Sequence, residues 1–380
     1  MKPWTAARSS AAAAGSALGG CAGRAPGSGT LPPARGLPPR HRLIPVDASF
    51  DRIVRTVVGL RPYRPSGFVV RAEPMGGKLV VHNYGHGGGG ISLSWGSSHL
   101  AVEEVLASEH REVAVVGAGV MGLTTARLLQ RAGRRVTIYA RDLPPSTTSN
   151  VAGGQWTPFS VFDPDAVTPT FRARFDRAAR LAHRHFQDFL GRGYGVSFAD
   201  NWYLSDAPVR LGSLITELPD LFHDVEEAVP FEEHPFPSRH AARVTTMMVE
   251  PGAFLAATER DVRRAGGVVV VRAFRDAADL LSVPERVIVN CTGLGARELF
   301  GDEELVPVKG QLTVLVPQAE VDYLVLRGGA YMFPRSDGIL LGGTFERGEW
   351  SLEPDADALR RIVADHVGFF DAMGARLRGA

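Results

Sequence analysis

Cysteine is almost absent from this chain, since only Cys21 and Cys291 occur among 380 residues. Two cysteines cannot form a disulfide framework or a cysteine zinc site, and the apolar run around Cys291 indicates a small buried hydrophobe. No apolar run reaches the ~20 residues that cross a bilayer, which excludes a polytopic membrane protein. The net charge is +1 and the arginines are scattered, so the chain lacks the basic field that nucleic-acid binding requires.

Residues 1–44 are rich in Ala, Gly, Ser, Pro and Arg and show no helical or strand periodicity. Such a composition buries too little apolar surface to offset the entropy of ordering, so we expect a disordered leader outside the fold. Residues 18–21 (LGGC) resemble a weak lipoprotein cleavage box. Two localisations therefore stay open: a cytoplasmic protein, or an exported lipoprotein held on the membrane only by a lipid at Cys21.

A strand, a glycine turn, a helix and a second strand follow one another over residues 113–139. This βαβ context makes the G-x-G-x-x-G pattern a strong indication of a dinucleotide site. Gly117 permits the tight turn, Gly119 lets a pyrophosphate approach the backbone, and Gly122 lets helix and strand pack closely. The anion then lies at the positive end of the helix. A βαβ unit that binds no nucleotide is the structural alternative.

Two further features help to identify the dinucleotide. Arg141 and Asp142 follow the second strand, and Arg141 alone would favour NADP. The segment from 143 to 159, however, is too long and glycine-rich for an ordinary βα connection. Earlier in the chain, a hairpin that turns at residues 76–77 leads to a second glycine loop and a helix over 91–107.

These features and others resemble the D-amino-acid oxidase family over nearly all of residues 50–376. The matching segments are GLRPYRP (59–65), HNYGHGGGGISLSW (82–95), GAGVMG (117–122), ARDLP (140–144), TTSNVAGGQWTPF (147–159), VIVNCTG (287–293), YMFP (331–334) and LGGTF (341–345).

The resemblance implies an α/β fold with a Rossmann-like FAD-binding domain and a second, mostly antiparallel α+β substrate domain. We expect the FAD domain in residues 45–165 plus 240–300 and the substrate domain in 166–239 plus 301–380, with 53–81 contributing at the interface. In the relatives the glycine fingerprint opens the chain, whereas here residues 50–107 precede it. The resemblance therefore predicts a circularly permuted order.

The resemblance also implies FAD as the cofactor and no metal. The glycine fingerprint and Arg141 would lie on the phosphate and adenosine side, whereas the loop after Thr148 and the second glycine loop would border the flavin ring. The expected cofactor residues are Gly117, Gly119, Val120, Met121, Gly122, Arg141, Asp142, Thr147, Thr148, Gly154, Gln155, Thr157, Phe274, Thr292, Gly293, Gly87, Gly90, Ile91 and Ser92. His82 and His86 could suggest a metal or a base, but structural packing is the favoured interpretation.

Three residues match the family's substrate contacts. Arg61 would hold the α-carboxylate, Tyr331 would donate a second hydrogen bond to it, and the carbonyl of Gly88 would accept from the substrate amine. Hydride would then pass from Cα to flavin N5 by alignment alone. Without the resemblance, Arg61 would be interpreted as a surface residue and Tyr331 as part of the core.

The implied reaction converts a D-amino acid, O₂ and water into a 2-oxo acid, ammonia and hydrogen peroxide. A glycine or sarcosine oxidase, a quinone-linked amino-acid dehydrogenase and a non-catalytic FAD-binding protein remain alternatives, and a homodimer is one open oligomeric state. The chain departs from the family in its short connection before Tyr331, which leaves no room for a lid. Arg327 would add a cation to the exposed site, whereas Phe345 stands where D-aspartate oxidases carry arginine.

Overall fold

The computed structural model describes residues 40–379. The predicted lipoprotein box at 18–21 and residues 1–39 of the expected leader lie outside this range. None of the described helices is long and apolar enough to span a membrane.

Fifteen strands and eight α-helices make up the described residues. The strands are β1 (Ile53–Tyr63), β2 (Val69–Met75), β3 (Lys78–Tyr84), β4 (Glu112–Val116), β5 (Arg135–Ala140), β6 (Val196–Ser205), β7 (His223–Val229), β8 (His240–Val249), β9 (Val268–Val271), β10 (Val287–Asn290), β11 (Val306–Leu315), β12 (Tyr323–Arg327), β13 (Ala330–Arg335), β14 (Gly338–Gly342) and β15 (Glu346–Arg347). The helices are α1 (Gly90–Leu106), α2 (Val120–Arg131), α3 (Pro169–Gln187), α4 (Ser213–Glu217), α5 (Pro251–Arg264), α6 (Ala277–Leu280), α7 (Gly295–Phe300) and α8 (Ala356–Gly379).

A six-stranded sheet contains the glycine fingerprint and has the order β2-β3-β10-β4-β5-β9. Its pairs are parallel except for the β2–β3 hairpin, which turns at Gly76 and Gly77. Both glycines have positive φ, a conformation that is costly for other residues. The central strands are continuous apolar runs, as expected for a parallel sheet that is buried on both faces.

The second sheet has nine strands in the order β1-β11-β14-β13-β12-β6-β8-β7, with β15 paired to β11. It is antiparallel apart from the parallel β12–β6 pair. Side chains alternate between its two faces. One face packs against α8 through a cluster that includes Trp202 and Met332, whereas Leu312 and Phe333 belong to a cluster on the opposite face. The mixed α/β fold class predicted from the sequence is therefore confirmed.

Helix α1, which precedes the fingerprint in the chain, is fixed against the helix that follows it. Asn83 on β3 and Ser98 on α1 share hydrogen bonds with Thr125 of α2, and Ser98 also meets Thr124. These side chains are buried, so each needs its partner. The network fixes α1 against α2 and β3, so α1 is part of the layer that covers the six-stranded sheet.

Two expectations about boundaries differ from the structure. Residues 40–44 were expected outside the fold, but the carbonyl of Ile44 accepts a hydrogen bond from Tyr323 and the ring of His41 packs on Trp202. Residues 240–300 were expected in the FAD-binding domain, but β8 within this range pairs with β6 in the nine-stranded sheet. Long-range contacts decide both cases, and local composition does not report them. The two predicted domains are joined in one compact unit.

The C-terminal helix ends beside the first described residues. A Cβ at Gly374 would lie 3.9 Å from Pro45, and Val46 shares a buried cluster with Met373. The turn at residues 231–234 contacts both ends. The carbonyl of Glu233 accepts a hydrogen bond from the N–H of His41, and the carbonyl of Phe231 accepts one from the Arg376 side chain. At the other junction, residues 107–111 connect α1 to β4. These positions are those that a permuted order requires.

We therefore predict that the chain tolerates the reverse permutation. Residue 379 would be joined to residue 40 through a flexible linker of about eight residues, and the new termini would lie between Glu109 and His110. The thermal unfolding midpoint should stay within about 5 °C of the parent, because the cut falls in a surface connection. The control carries the same join but is cut inside β4, between Val115 and Val116, and should not fold. Equal behaviour of the two chains would contradict the prediction.

Candidate active site

The glycine fingerprint forms a tight turn that only glycine fits. Gly117 has φ +112, and a Cβ there would lie 2.4 Å from the carbonyl oxygen of Cys291. A Cβ at Gly122 would lie 1.8 Å from the oxygen of Gly117. The N–H of Val120 donates to the hydroxyl of Ser149, but no described residue accepts from the N–H groups of Met121 and Gly122. Those free donors at the start of α2 suit a phosphate.

The segment that follows β5 starts at the protein surface with Arg141 and Asp142. Arg141 is exposed and pairs with the adjacent Asp142 at 2.8 Å. The Thr147 hydroxyl donates to Asn150, and Thr148 opens a short 3₁₀ turn that brings Ser149 to the start of α2. Ser149 therefore joins this loop, which also carries Thr147 and Thr148, to the fingerprint. Sequence reasoning missed Ser149, which lies inside a matching segment but has no pattern of its own.

The same loop then crosses the face of the nine-stranded sheet that is opposite α8 and carries Leu312 and Phe333. We refer to this face as the site face. A Cβ at Gly153 would lie 3.0 Å from the Phe333 ring, and the carbonyl of Gly154 accepts a hydrogen bond from the N–H of Val249 on β8. Gln155 forms an isolated bridge with Met248 on the same strand. The hydroxyl of Thr157 is buried and has no hydrogen-bond partner among the described residues. An unsatisfied buried hydroxyl in this position fits a cofactor that supplies the missing partner.

Three other predicted cofactor residues lie after the carboxyl ends of strands in the six-stranded sheet: Thr292 and Gly293 after β10, and Phe274 after β9. The N–H and hydroxyl of Thr292 donate to Asn290 Oδ1, and Gly293 has φ +59. Gly293 also approaches Pro62, which follows Arg61. Phe274 is half-buried and packs against the ring of Tyr139.

The second glycine loop is joined by backbone hydrogen bonds to β1 and to Ser160, which follows the 147–159 segment. A backbone bridge joins His86 to Tyr63, and the N–H of Gly88 donates to the carbonyl of Ser160 at 2.9 Å. Gly88 is exposed and Gly87 has φ +53. Helix α1 begins at Gly90, and its first side chains, those of Ile91 and Ser92, are buried.

Arg61 and Tyr331 come together although 270 residues separate them in the chain. A Cβ at Gly310 would lie 2.5 Å from the Arg61 guanidinium, and one at Gly342 would lie 2.1 Å from the Tyr331 ring. Two glycines on neighbouring strands therefore make room for these side chains. Burial raises the pKa of Tyr331, although the adjacent Arg61 guanidinium acts in the opposite direction.

The Arg61 guanidinium has no carboxylate partner among the described residues, and its buried Nη1 makes no hydrogen bond to them. Its nearest aromatic neighbour is Phe345, whose ring centre lies 5.9 Å from the guanidinium carbon. An unpaired guanidinium inside a protein is costly unless an anion completes it. Gly88 contacts Phe159 and Ser160, and the structure records no direct contact between Gly88 and either Arg61 or Tyr331.

Arg327 does not contribute a cation to this site, contrary to the expectation from its position. It lies on the α8 face of the sheet, where it pairs with Asp365 and stacks on Phe369. Tyr331 pairs with Leu326, so the alternation along β12 turns Arg327 to the opposite face. The connection after β12 is a two-residue turn at Gly328 and Gly329, which agrees with the short segment seen in the sequence.

The two histidines of the glycine loop region are packed inside the protein. His86 stacks on Phe68 at 4.7 Å, and burial lowers its pKa to about 3. His82 contacts Asn290 and also Glu73, a carboxylate neighbour that the sequence did not indicate. No group of three His, Cys, Asp or Glu side chains among residues 40–379 is arranged to hold a metal ion.

Comparison with known proteins shows the family to which the chain is similar. Residues 112–377 match the DAO family, described as FAD dependent oxidoreductase. A D-amino-acid oxidase of Streptomyces coelicolor is 34% identical over 265 residues, covering 66% of this chain and 75% of that protein. The D-aspartate oxidase of Homo sapiens is 32% identical over 259 residues, covering 66% and 74%. A glycine oxidase of Bacillus cereus has a similar fold, with 16% identity, a TM-score of 0.51, and coverage of 70% and 79%.

Burial of His86 predicts a specific acid sensitivity. The folded protein holds this imidazole neutral down to a pKa of about 3, whereas in the unfolded chain it gains a proton near pH ~6.5. The unfolded state therefore binds more protons between these values, and the free energy of unfolding falls as the pH drops through that window. In His86→Gln the fall should be shallower by about 1.4 kcal/mol per pH unit between pH 4 and 6.

Denaturant titrations at several pH values measure this slope. His183 and His234 have pKa values that burial lowers to about 4, so the variant should keep part of the acid sensitivity. The matched control is His110→Gln at an exposed position, which should retain the slope of the parent protein. An unchanged slope in His86→Gln would show that His86 is not held neutral.

Proposed function

The chain belongs to the DAO family of FAD-dependent oxidoreductases, and from this premise we propose that it oxidatively deaminates D-amino acids. The products would be a 2-oxo acid, ammonia and hydrogen peroxide, formed from the amino acid, water and O₂. The observation that carries the proposal is the Arg61 guanidinium, which stands beside Tyr331 with a buried nitrogen that no described residue satisfies. The relatives named D-amino-acid oxidase support it.

The described residues fit FAD. The free N–H groups of Met121 and Gly122 would hold a phosphate, and the unsatisfied hydroxyl of Thr157 would face the ring system. We propose the remaining predicted cofactor residues as the lining between these two points. When bound, FAD would supply the acceptor for the two electrons of the substrate and pass them to O₂.

In this proposal the chain's own residues bind and orient the amino acid. Arg61 takes the α-carboxylate through two parallel charge-assisted hydrogen bonds, which fix both its position and its orientation. The Tyr331 hydroxyl donates a hydrogen bond to the same carboxylate. Burial raises the pKa of this phenol, which therefore stays protonated. The carbonyl of Gly88 accepts from the substrate amine on the side of the second glycine loop. No side-chain base is required, because orientation of the Cα–H bond is the main contribution of the protein.

The alternatives differ in substrate or electron acceptor. Glycine oxidases share the fold, so a glycine or sarcosine oxidase remains a second candidate. A dehydrogenase that reduces a quinone would use the same binding residues with a different acceptor. If FAD has only a structural role, the protein binds the cofactor but no amino acid reduces it.

We predict that the purified protein is yellow and that acid precipitation releases FAD. Under anaerobic conditions D-alanine should bleach the flavin absorbance, whereas L-alanine, glycine and sarcosine should not. Admission of air should restore the colour and produce hydrogen peroxide. Bleaching by glycine or sarcosine alone would favour the second candidate, colour that returns with a quinone but not with air would favour the dehydrogenase, and no bleaching would leave FAD as a structural group.

We predict that Arg61→Leu lowers kcat/KM for D-alanine by an amount equivalent to about 2–5 kcal/mol, because one partner of a desolvated charge pair is lost. Tyr331→Phe should cost about 1 kcal/mol, since it removes one hydrogen bond from a carboxylate that Arg61 still binds. The matched control is Arg55→Leu on the same strand, where the arginine pairs with Asp337 at the surface. Steady-state kinetics with equal FAD content measures the effects. Activity of Arg61→Leu equal to that of Arg55→Leu would contradict the assignment.

We also infer that the element order is circularly permuted relative to the family. The family match begins at residue 112, the first residue of β4, and leaves out the segment that carries Arg61 and Gly88. The proximity of Pro45 to Gly374 supports the inference, since an unpermuted chain would pass directly from α8 to β1. The relinked chain described above tests it.

A further inference from the structure

Two polar side chains on the site face have no contact with the substrate in the assignments above: Gln155, which is proposed there only as part of the cofactor lining, and Tyr203. Gln155 Nε2 donates to Asn201 Oδ1 at 2.6 Å, and the Tyr203 phenol lies beside the same amide. Asn201 is fully buried, and its own amide donates to the carbonyl of Ala199. Asn201 therefore fixes the orientation of Gln155. We refer to Gln155 and Tyr203 as the polar wall.

The strand register places the polar wall opposite the carboxylate-binding residues. Tyr331 pairs with Leu326, and Leu326 pairs with Tyr203 on the next strand. Trp202 and Leu204 point into the α8 cluster, so Tyr203 lies on the same face as Tyr331. Two strand spacings separate the backbones of Tyr331 and Tyr203, which is roughly 10 Å. Leu326 forms the floor between them.

This separation suits the side chain of a bound amino acid. If Arg61 and Tyr331 hold the α-carboxylate, the direction along the face away from Arg61 leads over Leu326 to the polar wall. A carboxylate, Cα, Cβ and one further polar group span such a gap. The wall can offer one acceptor, Gln155 Oε1, and one donor, the Tyr203 hydroxyl.

The wall carries no charge. Burial raises the pKa of Tyr203 to about 12, although the Gln155 amide opposes the shift, so the phenol is a neutral donor. Arg327 and Arg243 are on the opposite face, where carboxylates pair with them. Arg335 shares the site face but pairs with Asp337 and donates to the carbonyl of Ala152. An acidic side chain at the wall would therefore lose its hydration without gaining a counter-charge.

Resting on the proposed function, we propose that Gln155 and Tyr203 select D-amino acids whose side chains carry a neutral hydrogen-bonding group, a carboxamide first of all. A carboxamide donates to Gln155 Oε1 and accepts from the Tyr203 hydroxyl at the same time. An apolar side chain of the same shape offers no partner to Gln155 Oε1 or to the Tyr203 hydroxyl proton, and an acidic one brings a charge that the wall does not compensate.

Three nearly isosteric substrates test the proposal: D-asparagine, D-leucine and D-aspartate. The kcat/KM of the intact protein should be about tenfold or more higher for D-asparagine than for either of the others, because a site built around hydrogen bonds rejects analogues that lack them. Anaerobic bleaching of the flavin by each substrate gives a second reading that does not depend on O₂. If kcat/KM for D-leucine or D-aspartate equals or exceeds that for D-asparagine while the flavin is still bleached, the proposed selectivity of the polar wall is wrong and the proposed function stands.

Substitutions at Tyr203 and Gln155 test whether these two side chains cause the preference for D-asparagine. Tyr203→Phe should lower the preference for D-asparagine over D-leucine about five- to tenfold, mainly by raising KM for D-asparagine, and Gln155→Met should act in the same direction. Kinetics with D-leucine should change little in Tyr203→Phe, which a general loss of structure would not produce, whereas Gln155→Met, at a proposed cofactor-lining residue, is compared with the parent at equal FAD content. FAD content and the thermal midpoint are measured for each variant. The matched control is Tyr194→Phe, which removes a phenol that bonds to Asp261 on α5.

The outcomes separate the two levels of inference. A preference for D-asparagine that survives in both wall variants would reject the assignment of these residues. Absence of flavin bleaching by any of the three substrates and by D-alanine would reject the proposed function, and the polar wall would fall with it.

Discussion

Pairing of β1 with β11 is the constraint on which the site depends. The two strands are in register over most of β1, with Gly59 opposite Gly310 and Arg61 opposite Val308. This register lays the Arg61 guanidinium over Gly310, and the next strand, β14, supplies Gly342 beneath Tyr331. A slip of one residue would turn Arg61 to the α8 face and leave the site without its cation. The glycines are needed at these points because any Cβ would occupy the space of the two functional side chains.

The electrostatics of the site follow from what is paired elsewhere. Arg64 binds Asp302 and Glu304, and Arg327 binds Asp365, whereas Arg61 beside Tyr331 has no carboxylate partner among residues 40–379. His86 is held neutral by burial and adds no charge. A buried guanidinium nitrogen without a partner among residues 40–379 is what the proposed binding of an α-carboxylate requires.

Chain order and spatial order are distinct in this protein. Helix α1 precedes the fingerprint in sequence but packs beside α2 through the Asn83, Ser98 and Thr125 network. The short connection from α1 to β4 and the proximity of α8 to residue 45 both place the junctions at the surface. Because the buried contacts are the same whichever covalent link is made, a permuted order has a small energetic cost.

The sequence by itself determined the elements whose signals are local. The glycine fingerprint, the hairpin at residues 76–77 and the amphipathic helices follow from spacing and backbone preference, and the motifs identified the family to which the chain belongs. Only the tertiary structure decided which face each strand presents. Along β12 and β6, odd and even positions alternate between the two faces of the sheet. Pairing with strands that are distant in the sequence decides which of the two groups lies on the site face and which lies on the α8 face. For this reason the α8-side position of Arg327, the transfer of β8 to the nine-stranded sheet, the packing of residues 40–44 and the polar wall of Gln155 and Tyr203 were all beyond local patterns.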